Sequence, residues 1–488
     1  MASSNIGISG FASYLPPHRV QLAQWCQWSG DQFDKIGSVV GDSFRMRGIN
    51  ENAYTMAATA VMRLINQYQI DPQQIGFLGL GTESSTDNSA GAVLIKGMVN
   101  QALRDAGKVE ILRACEVPEF KHACLGGVYA LKAATRYLAT DGHERIAIVV
   151  CSDIAEYARA SSGEPTQGAG AVAMLIEPQA KLLTVELGTC GSASSYRGPD
   201  FRKPFVRFMG QNKGPYMQPR DFPIFNGKYS TTCYIDEVLA AARDLFSRVK
   251  KPSKFMRSMV ASFLHRPYQR MAETGLAFTF LLALALGDAD DQQELMQYAH
   301  GANVDPDKLV TELISETDVY ELVTNGNIGK ELFPLSSKAA KHFRSTPAFS
   351  ALLTKLGAEQ MKEVGNLYTA SLPAWMAAGI ENALADSTGS SSDIAGQSIL
   401  TIGYGSGDAA EIIPMTFVKG WRTAASKIAF AKSMAGAADL QEDQYIALHD
   451  ADETALQTAT PGVFRINRVG DGNAAYDDRG IEYYELGS

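Results

Sequence analysis

Residues 119–140, EFKHACLGGVYALKAATRYLAT, decide the fold, because a short strand there runs directly into a helix. The residues EFKHA predict the end of a strand, and the small and apolar residues from Cys124 onward recur at helical spacing. A strand that is followed at once by a helix is the unit from which α/β sheets are built. Further strands and helices are therefore expected on both sides of this segment.

The neighbouring segments continue the alternation of strand and helix. Residues 53–68 space their apolar side chains as an amphipathic helix does. Residues 75–82, 145–153 and 170–178 are short apolar runs, which are typical of strands buried on both faces. This pattern predicts an α/β protein whose sheet carries helices on its faces.

The second part of the chain repeats this pattern loosely. A strand (MVASFL), a helical region over about 268–363, the small-residue segment GNLYTAS and the glycine-rich hairpin SILTIGYGSGDAAEIIPM follow one another. We therefore predict two similar halves, residues 1–178 and 179–488. The second half includes a polar, charged tail from about residue 421, whose end (RGIEYYELGS) predicts an edge strand.

Composition excludes several classes of protein. Of the 488 residues, 45% are hydrophobic and 20% are charged, as in ordinary globular proteins, and the net charge of −9 gives no general attraction to nucleic acid. Six dispersed cysteines and seven dispersed histidines show no spacing typical of a metal or haem site. The N-terminus lacks a signal-peptide pattern, and the longest apolar run, 276–287, is too short for a membrane. We expect a cytoplasmic protein with reduced thiols and neither nucleic-acid nor membrane partners.

Cys124 is the most informative candidate for chemistry. It precedes the N-terminus of the predicted helix, where unpaired N–H groups and the helix dipole favour a thiolate nucleophile. Gly126 and Gly127 would let a backbone or a ligand approach closely. The alternative is a buried structural cysteine, because free cysteines are often buried.

Glu83 and His265 are the next candidates, since each follows an apolar strand. A carboxylate in a partly dry cleft has a raised pKa and can transfer protons near neutral pH. A histidine at a strand end can project into a cleft as a hydrogen-bond donor or a base. Equally, the first could be a solvated or helix-capping glutamate and the second a structural histidine.

Taken together, these segments resemble a known family. The blocks GTESSTDNS, KHACLGG, CSDIAEYA, EPTQGAGAVAMLI, FPIFNGKYS, HRPYQR, GNLYTAS and IGYGSGDAA follow one another as in 3-hydroxy-3-methylglutaryl-CoA synthases of the thiolase superfamily. The resemblance spans the chain to about residue 415. It implies the five-layer αβαβα thiolase fold of two similar halves and a homodimer, and it places the enzyme in the mevalonate route to isoprenoids.

The resemblance also implies roles for individual residues. Cys124 would carry an acetyl group from acetyl-CoA, Glu83 would remove a proton from its methyl group, and His265 would hydrogen-bond the acceptor, acetoacetyl-CoA. Substrate contacts would come from five further residues: Tyr157, Thr166, Arg270, Asn366 and Ser371. Arg270 would face the CoA moiety, although a lone arginine is more often a solvated surface residue. No metal or redox cofactor would be needed, because the CoA thioesters are substrates.

Three departures from the family pattern bear on the acceptor. Leu125 follows the nucleophile where the family has an aromatic residue, Glu51-Asn52 replaces a Glu-Asp pair, and the segment 205–221 looks long. The acceptor could instead be a β-ketoacyl chain on a carrier protein, as in β-branching synthases of polyketide pathways. The chain could also be an acyltransferase of the β-ketoacyl-ACP synthase III type, although those enzymes lack a counterpart of Glu83, or a non-catalytic paralogue that binds acyl-CoA.

Overall fold

The computed structural model describes residues 5–85, 88–142, 144–201, 203, 222–224, 226–353, 356–386, 393–452 and 454–488. In chain order, its strands are β1 (Gly7–Tyr14), β2 (His18–Gln21), β3 (Ser43–Met46), β4 (Ile75–Gly81), β5 (Glu119–Phe120), β6 (Ile146–Ala155), β7 (Gly168–Glu177), β8 (Leu183–Val185), β9 (Gly191–Ser194), β10 (Met259–Leu264), β11 (Ser398–Gly405), β12 (Ala409–Phe417), β13 (Ala438–Asp439), β14 (Phe464–Val469) and β15 (Glu482–Leu486).

Its helices are α1 (Leu22–Ser29), α2 (Phe33–Gly37), α3 (Ala53–Tyr68), α4 (Gly91–Asp105), α5 (Gly126–Ala139), α6 (Lys228–Phe246), α7 (Pro252–Arg257), α8 (Gln269–Ala285), α9 (Ala289–Gly301), α10 (Pro306–Ile314), α11 (Glu321–Thr324), α12 (Pro334–Phe343), α13 (Pro347–Leu352), α14 (Ala358–Met361), α15 (Ser371–Asp386), α16 (Trp421–Ala425), α17 (Phe430–Met434) and α18 (Glu442–His449). Short 3₁₀ turns cover Pro72–Gln74, Glu164–Thr166, Leu187–Thr189 and Tyr368–Ala370.

Strand β6 shows why the sheet is covered on both faces. Ile148 and Val150 belong to one apolar core, whereas Ala147 and Val149 belong to the core on the opposite face. Successive side chains of a strand point to opposite faces, so a continuous apolar run needs a helical layer on each side. Helices α3 and α4 cover the first face, and α5 covers the second.

The main sheet contains two matching sets of four strands. In the first, β4 is parallel to β6, which is followed by the antiparallel strands β7 and β1. In the second, β10 is parallel to β11, which is followed by the antiparallel strands β12 and β8. Antiparallel pairing of β1 with β8 joins the two sets, and β5 and β9 add to them. The predicted pair of similar halves is therefore present in the sheet.

Helix α15 packs against strands of both sets, while α6 and α8 cover the outside of the second set. With α3 and α4 outside the first set and α5 beside α15 between the two, the order of layers is αβαβα. This confirms the predicted fold class. The division at residue 178 stays a prediction.

The tail after residue 421 packs against the rest of the protein more closely than its polar sequence predicts. Trp421, Phe430 and Tyr445 are buried, and β13 pairs with β2 in a small separate sheet. The final strand, β15, pairs with β14 in a hairpin and is not an edge strand of the main sheet. Among the described residues, we find no helix that is both long and apolar enough to cross a membrane.

Candidate active site

Cys124 lies in a tight turn between β5 and α5. Leu125 N donates to His122 O at 2.9 Å, and Ala123 adopts a left-handed backbone with φ of 43°. A side chain on Gly127 would overlap Cys151 Sγ of the neighbouring strand. This glycine therefore allows close packing of α5 on the sheet, and that packing places Cys124 at the helix N-terminus.

The thiol of Cys124 is in direct contact with Glu83. Its Sγ donates to Glu83 Oε2 at 3.2 Å. Burial raises the pKa of Cys124 well above its usual value, and the nearby Glu83 and Asp153 carboxylates raise it further. The expectation that the helix N-terminus favours a thiolate is thus outweighed, and the resting site holds a thiol beside a carboxylate.

Asp153, at the end of β6, holds the loop that carries Glu83. Its Oδ1 accepts hydrogen bonds from Thr82 Oγ1 at 2.9 Å, from Glu83 N at 2.8 Å and from Ser84 N at 3.0 Å. Its Oδ2 accepts from both the backbone N–H and the hydroxyl of Thr369 in the second half. Burial raises the pKa of Asp153, and these donors oppose that rise. Sequence reasoning missed this residue, although it lies in the CSDIAEYA block at the end of an apolar strand.

His265 follows β10 and is fixed by its own backbone. Its N–H donates to Ile402 O at 2.7 Å, and its side chain is buried. Among the described residues, neither ring nitrogen has a hydrogen-bond partner. Burial lowers the pKa of His265 to about 3, so the imidazole is neutral and keeps one N–H donor. A buried, unpartnered donor that lines a cavity is suited to a substrate oxygen.

Asn366 and Thr166 lie on adjoining parts of the cavity wall. Asn366 N donates to Thr166 O at 3.1 Å. Asn366 Oδ1 accepts from Tyr368 N at 2.9 Å and from Ser371 Oγ at 3.1 Å. Ser371 lies behind Asn366, outside the group of residues that line the cavity. It therefore holds Asn366 in place, and its predicted contact with substrate remains a prediction.

Three aromatic rings form the wall beside the thiol. Phe201 makes edge contacts with Tyr157 and Tyr368, each with ring centroids 6.2 Å apart. Cys124 packs against the same cluster. Burial raises the pKa of both tyrosines, so both phenols are protonated near neutral pH. Tyr368 was not singled out from the sequence, because a tyrosine near a helix start is common in any core.

Arg270 lies near the cavity but outside its lining. Its side chain is 44% exposed, and its Nε is 3.6 Å from the Glu273 carboxylate. Its Nη2 donates to Ser38 O at 3.4 Å, next to Val39, which does line the cavity together with Met271. A position at the mouth is compatible with the predicted contact to a CoA phosphate, which stays a prediction.

Most of the predicted site residues line one cavity. Its volume is about 570 Å³, and it is open at one side. Five of the eight predicted site residues line it: Cys124, Tyr157, Thr166, His265 and Asn366. Glu83 reaches the cavity through its contact with the thiol. The segment 205–221, which we expected to affect the acceptor, lies outside the described residues.

A model of the hydroxymethylglutaryl-coenzyme A synthase N-terminal domain matches residues 2–181, and a model of the C-terminal domain matches residues 214–457. The chain belongs to the hydroxymethylglutaryl-CoA synthase family. Members of this family are acyl-transferring enzymes, which confirms the predicted class of activity. An acyltransferase of the β-ketoacyl-ACP synthase III type is thereby set aside.

Individual relatives give the degree of similarity. The mitochondrial hydroxymethylglutaryl-CoA synthase of Sus scrofa is 26% identical over 421 residues, which cover 83% of this chain and 72% of that protein. The hydroxymethylglutaryl-CoA synthase-like protein AKT4-1 of Alternaria alternata is 36% identical over 204 residues, or 42% of this chain and 43% of that protein. For the synthase of Gibberella zeae, the match likewise spans about half of each chain: 32% identity over 51% of this chain and 49% of that one.

Solved structures support the fold. The structure of MvaS in complex with 3-hydroxy-3-methylglutaryl coenzyme A superposes with a TM-score of 0.76 at 24% identity, covering 99% of both chains. The curacin biosynthetic pathway HMG synthase in complex with holo donor-ACP gives a TM-score of 0.68 at 17% identity over 99% of both chains. The first complex contains a coenzyme A thioester, and the second contains a carrier protein.

One departure from the synthase pattern has a structural explanation. Leu125 is fully buried, and it packs against Gly403 and Gly405 of β11. It does not line the cavity.

A buried acidic cluster borders the site and is the one group of described residues arranged as a metal could require. Ligand atoms of Asp200, Cys233 and Asp408 lie within 4.8 Å of one another. The hydroxyl of Tyr404 lies 2.9 Å from Asp408 Oδ1 and 3.2 Å from Asp200 Oδ2, and Arg197 Nε is 3.7 Å from Asp408 Oδ2. Burial and then the Asp200 carboxyl raise the pKa of Asp408 to about 9. The raised pKa favours a protonated Asp408, and Arg197 also pairs with the Asp236 and Glu237 carboxylates, so we assign no metal to the cluster.

Proposed function

We propose that this chain condenses acetyl-CoA with acetoacetyl-CoA to give 3-hydroxy-3-methylglutaryl-CoA. The observation that carries the proposal is the 3.2 Å contact between the Cys124 thiol and the Glu83 carboxylate. This contact places a nucleophile and a base side by side in a cavity that also contains the neutral His265. Covalent catalysis with proton abstraction from carbon needs both groups at one place.

The first step would load the enzyme. Cys124 Sγ attacks the thioester carbon of acetyl-CoA, a new carbon–sulfur bond forms, and the bond to the CoA sulfur breaks. The proton of the thiol ends on the departing CoA sulfur, so free CoA leaves. Because the resting group is a thiol, this proton must be removed during the attack.

The second step would form the carbon–carbon bond. The Glu83 carboxylate removes a proton from the methyl group of acetyl-Cys124, and the resulting carbanion attacks the ketone carbon of the acceptor. The ketone oxygen becomes an alkoxide and takes the proton back from Glu83. His265 can donate its N–H to the acceptor's thioester oxygen and so hold the acceptor for the addition.

The third step would release the product. Water adds to the Cys124 thioester, the carbon–sulfur bond breaks, and the sulfur regains a proton. The sum is acetyl-CoA, acetoacetyl-CoA and water giving 3-hydroxy-3-methylglutaryl-CoA and CoA. None of the three steps requires a redox change. We expect the enzyme to act in the cytoplasm as a homodimer, without a cofactor.

A second candidate keeps the chemistry and changes the acceptor's carrier. The curacin synthase, whose fold matches this chain over 99% of both, was solved in complex with a carrier protein, which is there the donor-ACP. Coenzyme A and a carrier protein both present the acyl group on a phosphopantetheine arm. The residues near the thiol would then be the same for either carrier, and only the mouth of the cavity would differ.

Mass spectrometry tests the proposal and separates the two candidates. The protein is incubated with acetyl-CoA and acetoacetyl-CoA in a first reaction, and with acetyl-CoA and an acetoacetyl chain on a carrier protein in a second. We expect an acetyl increment on the peptide that contains Cys124, and 3-hydroxy-3-methylglutaryl-CoA in the first reaction. Product from the carrier-bound acceptor alone would establish the second candidate. Acetylation of Cys124 without product from either acceptor would contradict both.

A further inference from the structure

The tail helix α18 lies against the part of the chain that carries Tyr157 and Thr166. Tyr445 of this helix is buried and stacks on Trp28, with ring centroids 5.9 Å apart. His449, one turn further on, is also buried. The two side chains reach residues 157–167, which form one wall of the cavity.

Tyr445 is part of a buried hydrogen-bond network around Glu164. Its hydroxyl donates to Glu164 Oε1 at 2.5 Å and accepts from Gln167 Nε2 at 3.1 Å. Trp25 Nε1 donates to the same carboxylate oxygen at 3.1 Å, and Ala160 N donates to Oε2 at 2.6 Å. A buried carboxylate with three donors fixes the elements that supply them, because leaving any of these groups unpaired is costly.

The network holds the backbone of Tyr157 from both sides. Tyr157 N donates to Gln167 Oε1 at 3.1 Å, and the other end of that amide donates to Tyr445. Tyr157 O lies 2.8 Å from His449 Nε2. A carbonyl can only accept, so His449 carries a proton on Nε2 and donates it there. Both polar backbone groups of Tyr157 therefore depend on the tail helix.

The position of Tyr157 matters to the nucleophile. Its ring packs in the cluster that contains Cys124 and Tyr368, and it lines the cavity. Thr166, at the other end of the same wall, accepts the backbone N–H of Asn366. A shift of this wall would move groups that surround an acyl chain on Cys124.

We propose that Tyr445 and His449 are positioning residues, which keep the cavity wall formed by residues 157–167 in place beside Cys124. The inference rests on the proposed function, since it assumes that an acyl group on Cys124 fills this space. It gives the C-terminal tail a role in the reaction that is separate from folding. Misplacement of a reacting group by about 1 Å can cost up to roughly a hundredfold in rate.

The test compares variants that remove one hydrogen bond each. Tyr445→Phe removes the hydroxyl, His449→Ala removes the donor to Tyr157 O, and His449→Gln keeps an amide N–H within reach of that oxygen. Tyr298→Phe is the matched control, because its hydroxyl also donates to a glutamate, at 2.8 Å, in the helical region away from the cavity. Acetylation of Cys124 and condensation are measured well below each variant's melting temperature, per folded molecule.

We expect Tyr445→Phe and His449→Ala to lose roughly ten- to a hundredfold in both rates. His449→Gln should recover most of the loss, and Tyr298→Phe should match the wild type. Wild-type rates in Tyr445→Phe and His449→Ala, an equal loss in Tyr298→Phe, or no recovery in His449→Gln would overturn the inference.

The inference and the proposed function can fail separately. If acetyl-CoA does not acetylate the wild type, the proposed function fails. The role of the tail is then tested by the rate at which iodoacetamide alkylates Cys124 in the same variants. A loosened wall should expose the thiol and speed alkylation in Tyr445→Phe and His449→Ala but not in Tyr298→Phe. Equal alkylation rates in all variants would overturn the role of the tail.

Discussion

Helices α5 and α15 begin at equivalent places in the two halves, yet the residues in front of them differ in chemistry. In each case a residue with a left-handed backbone lies just ahead of the helix: Ala123 with φ of 43°, and Tyr368 with φ of 46°. The first turn presents Cys124 to Glu83. The second turn presents Asn366, whose amide oxygen already accepts two hydrogen bonds.

The contrast extends to the groups around each turn. The first half contributes the acids Glu83 and Asp153, and the second contributes the neutral imidazole of His265. The nucleophile and the carboxylate beside it thus come from the first half, and the neutral His265 and the amide of Asn366 come from the second. Under the proposed function, the first half makes the carbon nucleophile and the second holds the acceptor.

Loss of the nucleophile should have the largest effect. Cys124→Ala should abolish both the acetyl increment and condensation, because no other group can carry the thioester. Cys190→Ala is the matched control, since Cys190 is also a half-buried free cysteine. The check is peptide mass spectrometry after incubation with labelled acetyl-CoA. Full turnover in Cys124→Ala would end the proposed division of roles.

Loss of the base should come next. Glu83→Gln should lower condensation by roughly 10²–10⁴-fold, as is usual for a lost general base. Acetylation of Cys124 should fall much less, since loading takes no proton from the methyl group. Glu381→Gln serves as control, because that carboxylate accepts from the backbone of Ala431 at 2.8 Å and does not line the cavity. Equal loss of both steps would show that Glu83 only supports the structure of the loop.

A smaller effect is expected at the cavity mouth. Arg270→Ala should raise KM for CoA substrates several-fold with kcat little changed, as for a lost contact made equally in ground and transition states. The effect should shrink as salt is added, because exposed charges are screened. Arg257→Ala is the control, with a similar exposure of 42% and its own partner, Glu294. Unchanged kinetics at all salt concentrations would remove Arg270 from the site.

The smallest effect concerns the titration of the thiol. Burial and Glu83 raise the pKa of Cys124, so its alkylation by iodoacetamide should reach half its maximal rate above the pH of about 8.5 expected for a free cysteine. Glu83→Gln removes the carboxylate that disfavours the thiolate, so the midpoint should move to lower pH. Since burial is the larger cause, the pKa of Cys124 should stay above the free-cysteine value in Glu83→Gln as well. A midpoint that moves to higher pH would mean that Glu83 favours the thiolate.

The sequence was sufficient for the layered fold and for the residues that lie at strand and helix ends. Cys124 could be found because it precedes a helix whose first residues are glycines, and His265 because it follows a buried apolar strand. Asp153 also lies at the end of an apolar strand, but its role could not be found from that position alone. Its partners Thr82 and Thr369 are distant from it in the chain, and only tertiary pairing shows that it connects the two halves.

The tail and Ser371 show a second limit of sequence reasoning. The tail is polar and charged in sequence, yet Tyr445 and His449 are buried because their polar atoms find partners in residues 157–167. The hydroxyl of Ser371 hydrogen-bonds Asn366, a contact that the sequence does not show, and its predicted contact with substrate stays a prediction. A local sequence pattern does not show whether a polar side chain faces the cavity or another side chain.

Single-turnover condensation tests the central claim most directly. Wild type, Glu83→Gln and His265→Asn are first acetylated on Cys124, and product formation is then followed over a range of acetoacetyl-CoA concentrations. We expect His265→Asn to need more acceptor but to approach the wild-type rate at saturation. Glu83→Gln should stay slow at every concentration. A Glu83→Gln rate that is rescued by more acceptor, together with a His265→Asn rate that is not, would contradict the assignment of chemistry to the first half and acceptor binding to the second.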